Sequence, residues 1–250
     1  MRLRHLSVCL LPLFAALPLH AQDLAATCRA SSSYDVTLRP DSLLFDRASP
    51  DPTRVELSQG TLRVDGVPVA LNAEDQDRLS LFERDLRALA PRVRTVAQHG
   101  VDMAAQGLRQ EAAGMGLDAD TRAELDQRLA ADAASLKRRI AASNSTHDWQ
   151  GAAMNQYVSQ VEGDLFPLIV GDLGQQALNA AMNGDLQTAA DLRDRAANLA
   201  TQLEPRMRQR MQALQPQIAE LCPSIRQLAS LQQGVRDGQG RPLNLLQIGP

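Results

Sequence analysis

The sequence predicts an α+β protein that is mostly α-helical, with a small N-terminal antiparallel β meander packed on an antiparallel helical bundle. Three observations support this fold class. Apolar residues alternate with polar ones between residues 34 and 71, whereas further along the chain they recur every three or four residues. Aromatic residues make up only 3% of the chain, and a core of leucine, alanine, valine and methionine favours helix packed on helix.

Residues 1–21 have the pattern of a secretory signal peptide. Arg2 and Arg4 form a positively charged n-region, residues 6–19 are apolar, and Ala21 offers a cleavage site. The apolar run is shorter than a membrane-spanning helix, so we expect cleavage rather than an uncleaved anchor. We therefore expect an exported, soluble protein in an oxidising compartment, the periplasm, with no transmembrane segment after cleavage.

Residues 22–72 are expected to form a β-rich N-terminal segment. Apolar residues alternate at Val36 and Leu38, and again on both sides of the pair Asp65-Gly66. An Asp-Gly pair between alternating apolar residues predicts a hairpin with a type I′ turn, whose two central residues need positive φ. The sequence thus predicts a meander of three to five strands, which is too small to be secure alone and has to rest on the helices.

The helical bundle is expected over residues 73–233. Asn72 is the predicted N-cap of its first helix, and Pro91 is expected to kink or divide that helix. A break at residues 114–116 precedes a second helix, at about residues 121–142. Because the connection is short, these two helices are predicted to pack antiparallel.

Glycines punctuate the second half of the bundle. Gly184 is predicted to form the turn between a third helical stretch and a fourth helix, which begins near Leu186. Gly163, Gly171 and Gly174 are expected to let neighbouring helices approach closely.

A heptad pattern marks the C-terminal part of the bundle and predicts a coiled-coil-like seam. Its apolar positions, alternately four and three residues apart, are Met207, Met211, Leu214, Ile218, Leu221, Ile225 and Leu228. Pro216 and Pro223 both fall at the outward f position, so residues 206–233 are predicted to form one curved helix, with two or three short helices as the alternative. The tail, residues 234–250, is expected to be flexible or to dock as a short segment.

The cysteines predict one disulfide bond. Cys9 would leave with the signal peptide, so that Cys28 and Cys222 remain, and two thiols in an oxidising compartment most often pair. The alternative, a redox-active pair, is disfavoured because the two cysteines lack the Cys-x-x-Cys spacing.

No recognisable catalytic or metal-binding motif is present in the sequence. His99 and Asp102 lie three residues apart on one helical face and offer two metal ligands, which are too few for a site, so an exposed polar pair is favoured. Asp148, beside His147 at a predicted helix start, is expected to interact with the helix dipole. We therefore predict no catalytic residue, no metal ligand and no cofactor.

Two basic clusters are candidates for binding an acidic partner or anionic lipid headgroups. This possible anionic-partner patch consists of Lys137, Arg138, Arg139, Arg206 and Arg210. A solvated helix face is the alternative and the more usual meaning of such runs. The net charge of −3 argues against a nucleic-acid partner, because binding nucleic acid requires a basic surface that neutralises phosphates.

The order of these features resembles the YggN family, small exported proteobacterial proteins of unknown function. The resemblance is carried by the first retained cysteine, the strand-turn sequence GTLRVDGVPVALN at residues 60–72, the acidic helix start, the sequence LRALAP at residues 86–91 and the second cysteine after a long helical region. It implies export and a helix-rich fold, and it supplies no catalytic residue.

Together these features favour a non-enzymatic envelope protein that binds another, unknown envelope protein, as a chaperone-like module or a scaffold. The sequence leaves the oligomeric state open. The alternative is a periplasmic hydrolase or small-ligand-binding protein whose site is built from scattered carboxylates. A cleft with convergent acids of perturbed pKa would favour the alternative, whereas a long apolar groove would favour protein binding.

Overall fold

The computed structural model describes residues 26–149 and 151–249 of the chain. The predicted signal peptide, residues 1–21, lies outside the described residues. Within them the protein is mostly helical, with a small antiparallel sheet near the N-terminus, so the predicted α+β class is confirmed.

Five strands form the predicted meander, and each is hydrogen-bonded to the next in sequence order. They are β2 (Asp35–Leu38), β3 (Leu43–Asp46), β4 (Arg54–Ser58), β5 (Thr61–Val64) and β6 (Val67–Val69). A separate two-stranded sheet pairs β1 (Ala30–Ser31) with β7 (Gln247–Ile248) and so brings the two ends of the described chain together.

Positive backbone φ angles mark the two tight turns of the meander. Asp65 and Gly66, between β5 and β6, have φ of 47° and 82°, as the predicted type I′ turn requires. Gln59 and Gly60, between β4 and β5, repeat the geometry with φ of 50° and 79°. The second turn rests on a helix, because the buried carboxylate of Glu83 accepts the backbone N–H of Gln59 at 2.8 Å.

The helices follow the sheet in the chain. They are α1 (Ala73–Ala113), α2 (Ala119–Ala142), α3 (Gly151–Met182), α4 (Leu186–Met211), α5 (Gln215–Ala219) and α6 (Cys222–Leu231), with 3₁₀ turns at Thr146–Trp149 and Gln212–Leu214. The predicted N-cap is correct, since the Asn72 side chain accepts the N–H of Asp75 at 2.7 Å. The predicted turn at Gly184 is also present, with φ of 83°.

Pro91 does not divide the first helix, because α1 runs continuously from Ala73 to Ala113. Pro167 and Pro205 likewise lie inside the continuous helices α3 and α4. All three prolines are exposed, so the carbonyl that loses its hydrogen bond can be solvated, and each helix is long enough to retain its other hydrogen bonds.

The C-terminal heptads do not form the predicted single curved helix. The seam side chains from Leu214 to Leu228 are buried as expected, but the backbone is split into the end of α4, a 3₁₀ turn, α5 and α6. Pro216 and Pro223 lie in the first turns of α5 and α6, where a helix needs no N–H from them. Two prolines seven residues apart leave too few hydrogen bonds between them to keep one helix continuous.

The glycines of α3 do not mark close helix contacts, contrary to expectation. A Cβ atom added at Gly163, Gly171 or Gly174 would meet no atom within 4 Å. The close approach occurs instead at Gly107 of α1, where a Cβ atom would lie 3.1 Å from the Sδ atom of Met207 on α4. Periodicity identified the helices correctly but did not show which glycine lies between them.

A proximal core joins the sheet, the first half of α1, α6 and the C-terminal segment. Its buried side chains include Leu43, Phe45, Val55, Leu57, Leu62, Leu79, Phe82, Leu221, Ile225 and Leu228. Cys28 and Cys222 are buried in this core and form a disulfide bond, which connects the segment just before β1 to the start of α6.

The segment after Gly234 docks on the proximal core rather than forming a flexible tail. Val235, Leu243 and Leu245 are buried. The side-chain carbonyl of Gln232 accepts the backbone N–H of Leu245 at 2.7 Å, which fixes the segment beside the end of α6. Burial of three apolar side chains and these hydrogen bonds offsets the entropy of ordering a glycine-rich stretch.

Candidate functional site

A distal core holds the helical hairpin α3–α4 against the far ends of α1 and α2. Its buried side chains are Ala112, Leu117, Leu125, Leu129, Leu165, Ile169, Leu173, Leu192 and Leu199. The turn between α1 and α2 meets α3 at Asp172, whose buried carboxylate accepts the N–H of Asp118 at 2.9 Å. Gln176 makes the next contact by donating from Nε2 to the carbonyl oxygen of Gly116 at 3.1 Å.

Beyond Gln176 the hairpin projects past the turn between α1 and α2. We call residues 177–191 the hairpin tip. An α-helix rises by about 1.5 Å per residue, so α3 extends about 9 Å from Gln176 to Met182. Two helices that pack only on each other can bury one face apiece, so the remaining faces of the hairpin tip meet solvent.

Three large apolar side chains lie on these solvent-facing surfaces. Leu178 is 60% exposed, Met182 77% and Leu186 71%. They follow one another at intervals of four residues across the turn at Gly184. Exposed apolar side chains are ordinary when scattered singly, but three grouped at one projecting end, surrounded by polar side chains, are typical of an interaction surface.

The polar surroundings of this group are amides and carboxylates. From Gly151 to Leu192 the sequence has five acidic residues and no lysine or arginine. Asp185 caps α4 by accepting the N–H of Thr188 at 3.0 Å, and hydrogen bonds from Thr188 hold the pKa of the Asp185 carboxyl below its usual value. The hairpin tip is therefore apolar and negatively charged at neutral pH.

A groove of about 770 Å³ lies between α1 and α2. Its floor is made of alanines, among them Ala105, Ala130 and Ala133. Of the described residues that line the groove, Asp102 is the one carboxylate, and it forms an ion pair with Lys137 at 2.9 Å. The groove therefore offers neither a large apolar anchor site nor converging acids.

The five residues of the predicted anionic-partner patch lie on two helices, α2 and α4. Arg206 and Arg210 of α4 each bind the carboxylate of Glu111 on α1 at 2.8 Å. These two arginines lower the pKa of the Glu111 carboxyl through hydrogen bonds and their charge. They thus join α4 to α1 by two ion pairs at the surface, where the Arg206 side chain remains exposed.

The remaining basic residues of that patch lie on α2. Lys137 is paired with Asp102, as above, and the Arg139 guanidinium lies 5.2 Å from the centre of the Tyr157 ring. Arg138 is exposed on the rim of the groove. The sequence located these positive charges correctly but could not show the carboxylates and the ring that face them.

The candidate metal ligands His99 and Asp102 are engaged separately. His99 hydrogen-bonds through Nδ1 to the side chain of Gln217 at 2.8 Å, whereas Asp102 binds Lys137. His147 contacts Asp35 of β2 at 3.1 Å. Within the part of the chain that the structure describes, histidine, cysteine, aspartate and glutamate form no group that could hold a metal ion.

Three acidic side chains have raised pKa values, each near the distal core. Burial, reinforced by the charge of Asp164, raises the pKa of Asp132 on α2, and burial alone raises that of Glu162 on α3. A hydrogen bond with Asp172, reinforced by its charge, raises the pKa of Asp118. None of the three lines the groove between α1 and α2.

The open edges of the five-stranded sheet are poor binding sites for an extended peptide. Residues 144–146 cover β2, where Thr146 Oγ1 and the Asn144 carbonyl accept the N–H groups of Val36 and Leu38 at 2.8 Å. The other edge, β6, carries Pro68 at its centre, and proline has no N–H to donate. This leaves the hairpin tip as the unpartnered surface with the greatest apolar exposure among the described residues.

A family model matches residues 28–245 of the chain, and its description is protein of unknown function, DUF2884. The chain belongs to the DUF2884 family. Neither the curated proteins nor the solved structures gave a significant match. The matched range includes both bonded cysteines, the meander, all six helices and most of the docked C-terminal segment. Among the described residues of this DUF2884 protein, no helix is both long enough and apolar enough to cross a membrane.

Sequence reasoning did not single out the hairpin tip of this DUF2884 protein. Leu178, Met182 and Leu186 were visible as regularly spaced apolar residues, a pattern that more often lies in a core. The available signal was the composition around them, since glutamine, asparagine and aspartate stand next to leucine and methionine without a basic residue.

Proposed function

We propose that this DUF2884 protein is an exported, non-enzymatic protein of the cell envelope that binds apolar segments of other proteins through its hairpin tip. The observation that carries the proposal is the exposure of Leu178, Met182 and Leu186 at the projecting end of α3–α4. Apolar side chains grouped at an exposed end are typical of a surface that another protein covers.

The form of the surface favours reversible binding of a chaperone-like kind over a permanent assembly. Fully burying one such side chain contributes about 1.5–3 kcal/mol, and association entropy opposes the gain. Three side chains therefore support a weak contact that can form and dissociate rapidly. Methionine adds adaptability, because its unbranched side chain can fit partners of different shape.

The arrangement of the acids gives less support to a hydrolase or a small-ligand-binding protein. Such a site requires carboxylates that converge in a cavity. In this fold the groove between α1 and α2 has its carboxylate paired with Lys137, and the acids with raised pKa, Asp118, Asp132 and Glu162, lie outside it.

A triple variant tests the proposed binding surface. Leu178→Ser, Met182→Ser and Leu186→Ser together should abolish the ability of the protein to suppress aggregation of a test protein diluted out of denaturant under non-reducing conditions, followed by light scattering. Because all three side chains are exposed, helix content and the denaturation midpoint should change little. Val67→Ser is the control, since Val67 is 65% exposed but lies in the sheet, away from the hairpin tip. It should leave the suppression of aggregation unchanged.

Two outcomes would argue against this function. One is suppression by the triple variant equal to that of the natural protein. The other is absence of suppression by the natural protein at several-fold molar excess over the test protein.

Export is supported by the charged and apolar N-terminal pattern, by the resemblance to the YggN family and by the buried Cys28–Cys222 pair, which suits an oxidising compartment. We expect protein recovered from the periplasmic fraction to begin at Gln22. N-terminal sequencing measures this directly, and an intact Met1 in that fraction would contradict cleavage.

A further inference from the structure

We infer that the hairpin tip selects apolar segments that are flanked by lysine or arginine. This inference rests on the proposed function and adds the chemical class of the partner. It starts from the charge around Leu178, Met182 and Leu186, which is negative within residues 177–191, whereas the basic residues Arg193 and Arg195 follow further along α4.

Two carboxylates flank the exposed apolar side chains. Asp185 precedes Leu186 directly, and Asp191 lies five residues further along α4. Both residues are exposed. Basic side chains of a partner that lie within about 10 Å, the Debye length at 0.1 M ionic strength, are attracted to these carboxylates, whereas acidic ones are repelled.

A second copy of the protein is a poorer occupant of the tip. The three exposed side chains together offer roughly 200–350 Å² of apolar surface. A stable interface buries about 800 Å² on each partner. A contact between two tips would also bring Asp185 and Asp191 of each copy together, and like charges repel.

A lipid surface is also disfavoured as the occupant. Proteins that bind anionic bilayers use lysine and arginine near the surface, and they anchor with tryptophan or tyrosine. From Gly151 to Leu192 the chain has neither lysine nor arginine, and residues 177–191 contain no aromatic side chain. The negative tip is repelled by an anionic surface, so a protein segment with basic flanks fits better.

The test compares two synthetic peptides that share one apolar core and differ only at their ends, which carry lysines in one and glutamates in the other. Binding to the full chain is measured by fluorescence anisotropy. At low ionic strength the lysine-flanked peptide should bind about five-fold more tightly or better, the effect expected of two charge pairs near 8–10 Å in water. In about 1 M salt, where the Debye length is about 3 Å, the difference should largely disappear.

Charge variants assign the effect to the tip. Asp185→Asn with Asp191→Asn should remove most of the preference for the lysine-flanked peptide, and asparagine retains the capping ability that α4 needs at residue 185. Glu74→Gln with Asp77→Asn is the matched control, because it removes the same charge from exposed positions at the start of α1. This control should keep the preference.

The outcomes distinguish failure of the charge preference from failure of the proposed binding function. Equal affinity for both peptides, or a preference that survives Asp185→Asn with Asp191→Asn, would overturn the inference and leave the proposed function intact. Binding of neither peptide would contradict the proposed function as well. Stronger binding to anionic or zwitterionic lipid vesicles than to the lysine-flanked peptide would overturn the inference in favour of a membrane surface.

Discussion

Gly60→Ala is expected to lower the free energy of unfolding by about 2–5 kcal/mol, because it combines two separate penalties. The residue has φ of 79°, a left-handed conformation that disfavours any side chain. A Cβ atom there would also lie 2.5 Å from Ser80 Oγ and 2.6 Å from the Gln76 carbonyl oxygen of α1. The carbonyl belongs to the helix backbone and cannot rotate away, so the turn has to lift from α1.

Gly66→Ala provides the matched control for this effect. Gly66 has φ of 82° in the neighbouring turn, but a Cβ atom there would meet nothing within 4 Å. Its substitution should therefore cost only the conformational penalty, about 1–2 kcal/mol. Urea denaturation of both variants measures the difference. Equal losses would show that the turn at Gly60 does not press on α1.

Ser80→Ala refines the comparison. It removes the hydroxyl oxygen nearest to the added Cβ atom but leaves the Gln76 carbonyl in place. In the Gly60→Ala background it should therefore restore only part of the lost stability, and a double-mutant cycle measures that part.

The strands and helices could be predicted because each depends on a local pattern. Alternation around Asp65-Gly66 predicted the hairpins, and Asn72 with the following acids predicted the start of α1. The prolines were harder to interpret. Pro91 is tolerated in a helix of 41 residues, whereas Pro216 and Pro223 begin separate short helices, and local sequence does not state how many hydrogen bonds remain on either side.

The contacts that were missed are between residues distant in sequence. The C-terminal segment hydrogen-bonds to Gln232 and packs on the proximal core. Its glycines left a flexible tail and a docked segment as alternatives, because neither contact is visible in the local sequence. Arg206 and Arg210 are paired with Glu111, which precedes Arg206 by 95 residues. Likewise, Leu178 is exposed because the turn between α1 and α2 contacts α3 at Gln176 and no further along the helix. The periodicity of one helix does not show at which residue another part of the chain stops covering it.

Loss of the disulfide bond is the second large effect that we expect. Cys222→Ser should lower the free energy of unfolding by about 2–5 kcal/mol, because the bond joins residues 194 positions apart and restrains nearly the whole unfolded chain. Most helicity should remain, since Leu221, Ile225 and Leu228 stay buried against the sheet and α1.

Cys28→Ser should reproduce this loss, and the double variant should add little, because either substitution alone removes the same bond. Denaturant titration of the two single variants and the double variant, with thiol titration of the unreduced natural protein, checks both statements. Clearly additive losses, or free thiols at both positions in the native protein, would mean that packing alone holds the segment before β1 to the start of α6.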